Sequence, residues 1–195
     1  MPPEGGVESS GETFHEIGFL PLAGLTAPEA ERLVAEASAH LTVPCRLFEP
    51  PPGLELATVP GRDQVDADRL LFRLEATEKL PGTALVGLTG RDLAIPIFTF
   101  VFGRARVGGH AAVVSIARLR PEHYGQPPDD ALTARRAAAE ILHELGHVAG
   151  LAHCRDFQCL MHFSTDVEAA DLRPLRFCAA CAAALPPGLF VPAEP

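Results

Sequence analysis

Between His143 and His153 the chain reads His143-Glu144-Leu145-Gly146-His147-Val148-Ala149-Gly150-Leu151-Ala152-His153, three imidazoles and a carboxylate at spacings suited to metal chemistry. His143 and His147 stand four apart. On a helix that puts both rings on one face, a turn apart, where a single ion can accept both. Glu144, beside His143, can reach toward a water at the ion without ligating it. Gly150 follows the second histidine by three residues, and glycine enters the left-handed conformation cheaply enough to stop a helix sharply. The chain can then double back and offer His153. Three neutral nitrogens and one open position make the tetrahedral site that a catalytic zinc uses. The competing reading is a helix with surface histidines that bind nothing. The short His-Glu-x-x-His pattern arises by chance in about one chain in fifty of this length, and adding Gly150 and His153 cuts that by about another few-hundred-fold.

A second donor set follows at once: Cys154, Cys159, Cys178 and Cys181. Cys178 and Cys181 form a C-x-x-C pair, and Cys154 with Cys159 makes an acceptable first pair. Four thiolates close a tetrahedral zinc and leave no position for substrate, so the reading is a structural zinc that ties the tail to the helix end. Two disulfides, or unliganded thiols, are the rival. The short polar tail argues for the zinc, as does the reducing compartment inferred below. The remaining cysteine, Cys45, reads as an inert buried thiol in a strand.

Several elements must hold these groups in place. A helix is predicted over Pro28 to His40, with Ala30, Leu33, Val34 and Ala37 at helical spacing, and a second from Asp66 to Glu78 with Leu70, Leu71 and Leu74 on one side. Strands are predicted over Thr42 to Phe48, Thr83 to Leu88, Ile97 to Phe102 and Ala111 to Leu119. From its order along the chain and from the family resemblance given below, Ala111 to Leu119 is taken as the edge strand beside the cleft. A long helix from Asp130 to Ala149, capped by Asp129 or Asp130, carries the histidines, with Leu142, Leu145 and Ala149 free to face a core. Cys178 to Leu185 reads as a short final helix. The expected organisation is a flexible stretch 1–12, a subdomain 13–150 with the sheet and the histidine helix, a cysteine-rich subdomain 151–185, and a proline-rich tail 186–195 free to wander.

Composition bounds the function. The chain has 195 residues, 47% hydrophobic and 21% charged, which suits one globular domain with an appendage. Sixteen basic residues against 25 acidic give a net charge of -9, which disfavours nucleic acid and anionic membrane surfaces as partners. The longest apolar run, Leu93 to Phe102, is about half the ~20 residues of a helical span. Met1 to Ser10 lacks the basic start and apolar stretch of a secretory signal, so a cytoplasmic location is expected.

Taken together, the long histidine motif resembles the metzincin metallopeptidases. Its continuation, with Cys154, Cys159, Met161 and Cys178-x-x-Cys181, is similar to the archaemetzincin family. These motifs cover Leu142 to Cys181, about a fifth of the chain. The resemblance implies a compact α/β (α+β) fold with a mixed twisted sheet and a small C-terminal subdomain. It implies His143, His147 and His153 as ligands of a catalytic zinc, Glu144 as general base and acid, and Met161 as the methionine of the turn beneath the metal. It implies Cys154, Cys159, Cys178 and Cys181 around a structural zinc, hence two zinc ions. One departure is visible: 16 residues separate Met161 from Cys178, one fewer than the family spacing. From the residues alone, Met161 is equally a core filler. His162 reads as structural or solvent-facing, and His110 and His123 have no partner pattern. Some metzincins place a tyrosine after the methionine; the sole tyrosine here, Tyr124, precedes the helix.

The function expected is hydrolysis of peptide bonds. Two alternatives use the same residues: a zinc hydrolase of a non-peptide amide, and a zinc-containing module that binds peptides or partners with little catalysis. The intact Glu144 argues against the second.

Overall fold

The computed structural model describes residues 14–77 and 81–192. The expected flexible stretch 1–12 and the end of the second predicted helix at Glu78 lie outside the described residues.

Five strands form one sheet in the order β2-β1-β4-β7-β6: β1 (Glu16–Pro21), β2 (Cys45–Leu47), β4 (Thr83–Thr89), β6 (Gly103–Ala105) and β7 (Ala111–Ser115). The first four in that order run parallel, and β6 closes one edge antiparallel to β7. Two short strands, β3 (Val65–Asp66) and β5 (Leu93–Ala94), pair separately. The expected mixed sheet is therefore present. Every residue of β4 and β7 is buried, as parallel strands covered on both faces require. Alternation then divides their side chains. Val86, Leu88, Ala112 and Val114 join Leu33, Ala37, Ile141 and Leu145 on one face; Leu85, Ala111 and Val113 join Leu70, Leu71 and Leu74 on the other.

Helix α1 (Ala27–Ser38) starts one residue before the predicted Pro28 and buries the four residues its periodicity singles out, Ala30, Leu33, Val34 and Ala37. Its start is a capping box: Thr26 Oγ1 accepts from Glu29 N at 3.4 Å and Glu29 Oε2 accepts from Thr26 N at 2.9 Å. The Thr26 backbone bond, with the Arg120 guanidinium, holds the Glu29 carboxyl below the usual range. A group depressed in the folded state contributes stability above its unfolded pKa of ~4.3 and loses it as pH falls through the folded value. Thr26→Ala is accordingly expected to lower stability by about 1 kcal/mol at pH 7. Urea titration should show that difference shrinking as the pH falls from ~4.3 through the lower folded value of Glu29, where the Thr26 hydroxyl loses its bond to a charged carboxylate.

Helix α2 (Ala67–Glu75) is capped by Asp66, whose Oδ1 accepts from Arg69 N at 3.1 Å. Helix α3 (Asp130–Val148) is the long histidine helix, with Asp129 as cap. Two short helices follow, α4 (Val167–Leu172) and α5 (Ala179–Ala184).

Several elements depart from the sequence reading. β1, the second strand of the sheet, and α4 were not foreseen: each is only six residues long. The predicted strand Ile97 to Phe102 is a loop with a single bridge from Val101 to Leu93, because Pro96 offers no N–H to a ladder and Ile97 and Phe98 turn outward, 80% and 47% exposed. The strand begins only at Gly103, past the predicted end at Phe102. β7 in turn is interior, between β4 and β6, so the edge facing open space is β6 and not Ala111 to Leu119. Finally, residues 188–191 do not trail free. Thr42 N donates to Leu189 O at 3.1 Å, Val191 N donates to His40 O at 3.0 Å, and Leu189 is buried in the main core. Apolar side chains within the proline-rich stretch anchor it.

Among the described residues no helix is long and apolar enough to cross a membrane.

Candidate functional site

Helix α3 runs beneath the sheet edge and ends at the histidines. The end is a Schellman motif: Leu151 N donates to Gly146 O and Gly150 N to His147 O, both at 2.9 Å, with Gly150 at φ 101°. That left-handed residue reverses the chain within one step, so His153 swings back over the helix. Donor atoms of His143, His147 and His153 all lie within 4.8 Å of one another, and the Nε2 atoms of His147 and His153 are 3.2 Å apart.

The hydrogen bonds behind the rings fix which nitrogen faces the centre. His143 Nδ1 is 2.8 Å from Leu160 O, and His147 Nδ1 is 2.8 Å from Leu151 O. A carbonyl only accepts, so His147 Nδ1 carries the proton, and for His143 the 2.8 Å bond to Leu160 O favours the same tautomer over the longer 3.1 Å contact with Arg173 Nη1; each Nε2 lone pair is then left for an ion. Burial pushes all three imidazoles below the usual histidine range, most strongly His143, which the Arg173 guanidinium also depresses. They are therefore neutral near pH 7, the state that binds a metal. Two oriented, neutral nitrogens and a third within reach fit a zinc-sized ion with one position open.

Glu144 is buried beside this cluster, and burial together with the charge of Glu140 lifts its carboxyl well above the usual range. Its carboxylate lies against the backbone of β6. A Cβ built on Gly103 would fall 2.6 Å from Glu144 Oε1 and 2.7 Å from its Cγ, so only glycine permits that approach. Phe102 O accepts from Ser115 N at 2.8 Å. By the antiparallel alternation, Arg104 then bonds inward to Val113, while Gly103 and Ala105 turn their N–H and C=O to the open edge.

Behind His143 sits a buried ion pair, Arg173 with Glu140, whose side chains are 2% and 6% exposed. Arg173 Nη1 also donates to His162 O at 3.1 Å, tying the segment after the cysteine loop to α3. Sequence reasoning missed this pair. Glu140 stands one helical turn before Glu144 and three residues before His143, a spacing that could have marked it; nothing local marked Arg173.

Met161 is fully buried, and its Sδ packs so closely on the backbone of Gly146, the residue before His147, that a side chain there would overlap it. The structure thus places this methionine under the histidine cluster. His162 turns its Nδ1 to Cys154 O at 3.1 Å and is outside the cluster. Tyr124 donates to Arg118 O at 2.9 Å and does not line the cleft.

The sulfurs of Cys154, Cys159, Cys178 and Cys181 also lie within 4.8 Å of one another. None is in a disulfide: Cys154 and Cys178 Sγ are 3.9 Å apart, against ~2.05 Å for a bond. Backbone N–H groups point at the sulfurs, Asp156 N to Cys154 at 3.4 Å and Cys178 N to Cys159 at 3.3 Å. The Cys181 N–H lowers the Cys178 thiol to about 7. Donors arranged around thiolates fit a closed four-sulfur zinc site. Cys45 stands apart, its thiol raised by burial.

The histidine cluster opens into a cleft of about 310 Å³ between the 95–105 segment and α3. Comparison with known proteins now bears on it. The family model of peptidase family M54 matches residues 62–186, well over half the chain. The chain belongs to peptidase family M54. Its relatives include the archaemetzincin of Pyrococcus horikoshii, 46% identical over 98 residues, or 50% of this chain and 52% of that protein. Another is the archaemetzincin of Methanocaldococcus jannaschii, 39% identical over 121 residues, or 62% of this chain and 65% of that protein. Matched in this way, the M54 chain spans from about half to two thirds of the length of these curated relatives. Among solved structures, the archaemetzincin of Archaeoglobus fulgidus, crystallised with malonate, superposes with a TM-score of 0.72 at 29% identity, covering 87% of this chain and 99% of that one. The archaemetzincin of Methanopyrus kandleri gives 0.68 at 31% identity, covering 91% and 95%.

Proposed function

We propose that this M54 chain is a zinc-dependent metallopeptidase that hydrolyses peptide bonds. The observation that carries the reading is the convergence of three neutral imidazole nitrogens beside a buried carboxylate at the floor of an open cleft. His143, His147 and His153 would hold the catalytic zinc; Cys154, Cys159, Cys178 and Cys181 would hold a structural one. When bound, the catalytic zinc polarises the scissile carbonyl and makes water acidic enough to be deprotonated near neutrality.

The chain's own residues do the rest. Glu144 takes a proton from the attacking water on a carboxylate oxygen and returns it to the leaving amine. The open edge of β6 receives the substrate as an added strand, through the N–H and C=O of Gly103 and Ala105. Leu160 O and Leu151 O hold the two helix imidazoles in orientation. Glu144 also favours hydrolysis over a module that only binds, since ligation alone has no use for a buried carboxylate beside the nitrogens.

Elemental analysis of purified protein tests the metal assignment. Two zinc ions per chain are expected, the histidine-held one removed by mild chelation together with peptide hydrolysis, the thiolate-held one retained. A single ion that survives chelation while activity persists would remove the histidines from the reaction. A further expected result concerns Gly103→Ala. The new methyl must displace the Glu144 carboxylate, and a shift of about 1 Å in a catalytic group lowers turnover by about 100-fold. Steady-state kinetics should show that loss in kcat, with zinc content unchanged.

A further inference from the structure

The two walls of the cleft differ in chemistry. The α3 wall is polar, carrying the histidines and Glu144; the facing wall and rim present Ile95, Phe98, Phe100, Val101, Phe102 and Phe163. Two of these aromatic rings are held out to solvent: Phe98 is 47% exposed and Phe163 is 48% exposed, the latter with its ring 5.1 Å from that of His153. Apolar surface gathered at the mouth of a reactive cleft gains by being covered.

Charge decides what covers it. Besides the histidines, the charged residues lining the cleft are Arg104, Glu140, Glu144 and Arg173. Arg173 and Glu140 neutralise each other in a buried pair, and Arg104 Nε donates to Asp68 Oδ1 at 2.7 Å. Glu144 is committed to proton transfer. Arg104, half exposed and already facing the half-exposed Asp68, is therefore the one lining cation within reach of a charged substrate side chain, whereas an apolar side chain meets several phenylalanines. The open edge of β6 runs beside the same wall, so a peptide paired there sends alternate side chains toward it.

We infer that the cleft selects peptides carrying a large apolar residue, aromatic or leucine-like, next to the bond to be cut, with Phe98 and Phe163 as the selecting side chains. The inference rests on the peptidase reading and deepens it. The phenylalanines act on substrate affinity and placement, and Glu144 acts on the bond.

The test uses the zinc-loaded full chain and internally quenched peptides that differ only at residues flanking the cleaved bond: Phe, Leu, Ala, Asp or Lys. The kcat/KM for Phe and Leu should exceed that for Ala, Asp and Lys by about 10- to 100-fold, the discrimination that burial of one large side chain supplies. Phe98→Ala and Phe163→Ala should each narrow the ratio. Phe98 stands on the wall away from the histidines, so its effect comes with unchanged zinc content. Equal kcat/KM across the series, or a preference untouched by both substitutions, overturns the inference. A parallel calorimetric titration of zinc-loaded Glu144→Gln protein with the Phe and Ala peptides separates the two layers. Tighter binding of the Phe peptide without cleavage by the parent enzyme keeps the selectivity and removes the peptidase reading. Cleavage without discrimination does the reverse.

Discussion

Glu144→Gln is expected to lower peptide hydrolysis by about 100- to 10,000-fold while zinc content and thermal stability stay near those of the parent chain. The amide keeps the shape that packs on Gly103 but cannot take a proton from water, so the loss isolates proton transfer from packing. It also removes a carboxylate lifted well above its usual range by burial and by Glu140, a position where charge is unfavourable. Relief of that burden argues against any loss of stability. The measurement is kcat at saturating zinc and peptide, with metal counted per chain in the same preparation. Turnover within a few-fold of the parent would exclude Glu144 as the base.

The second large effect concerns stability. Arg173→Met leaves the Glu140 carboxylate buried beside Glu144 with no cation against it. Breaking a buried pair from one side lowers stability by about 3–5 kcal/mol. In a chain of this size that corresponds to a fall in Tm of about 6–20 °C. The guanidinium also joins α3 to the segment after Met161 through His162 O, so the melting step should begin at that junction. The double variant Arg173→Met with Glu140→Gln removes the stranded charge and should recover most of the loss. Additive losses in the double variant would show that packing of the arginine stem, and not its charge, is what matters there.

The site was legible in the sequence to a large degree because its logic is local. A spacing of four on a helix sets His143 and His147 on one face, and Gly150 ends that helix in the Schellman turn that returns His153. The cysteines were legible as a donor set for the same reason, two close pairs in a chain segment of 28 residues. The helices α1 and α2 followed from apolar periodicity; the caps the structure shows at Thr26 and Asp66 are equally local, acting within three residues.

What depends on strand order could not be read this way. β7 is more apolar than β6 and looked like an element beside the cleft, yet pairing on both sides places it inside the sheet and leaves the three residues of β6 as the edge. Burial on both faces erases the alternation that would have told the strands apart. Nothing local marked Gly103, because its reason lies 41 positions away, in the Glu144 carboxylate it must clear. Arg173 and Glu140 are 33 residues apart and meet only when the chain beyond Met161 folds back under α3. The sequence by itself determined the donor atoms, their helix and the turn that gathers them, since those interactions span a few residues. Tertiary structure decided which backbone edge faces them, which charges are spent in the interior and which aromatic rings line the approach, because these depend on contacts between segments with no shared local pattern.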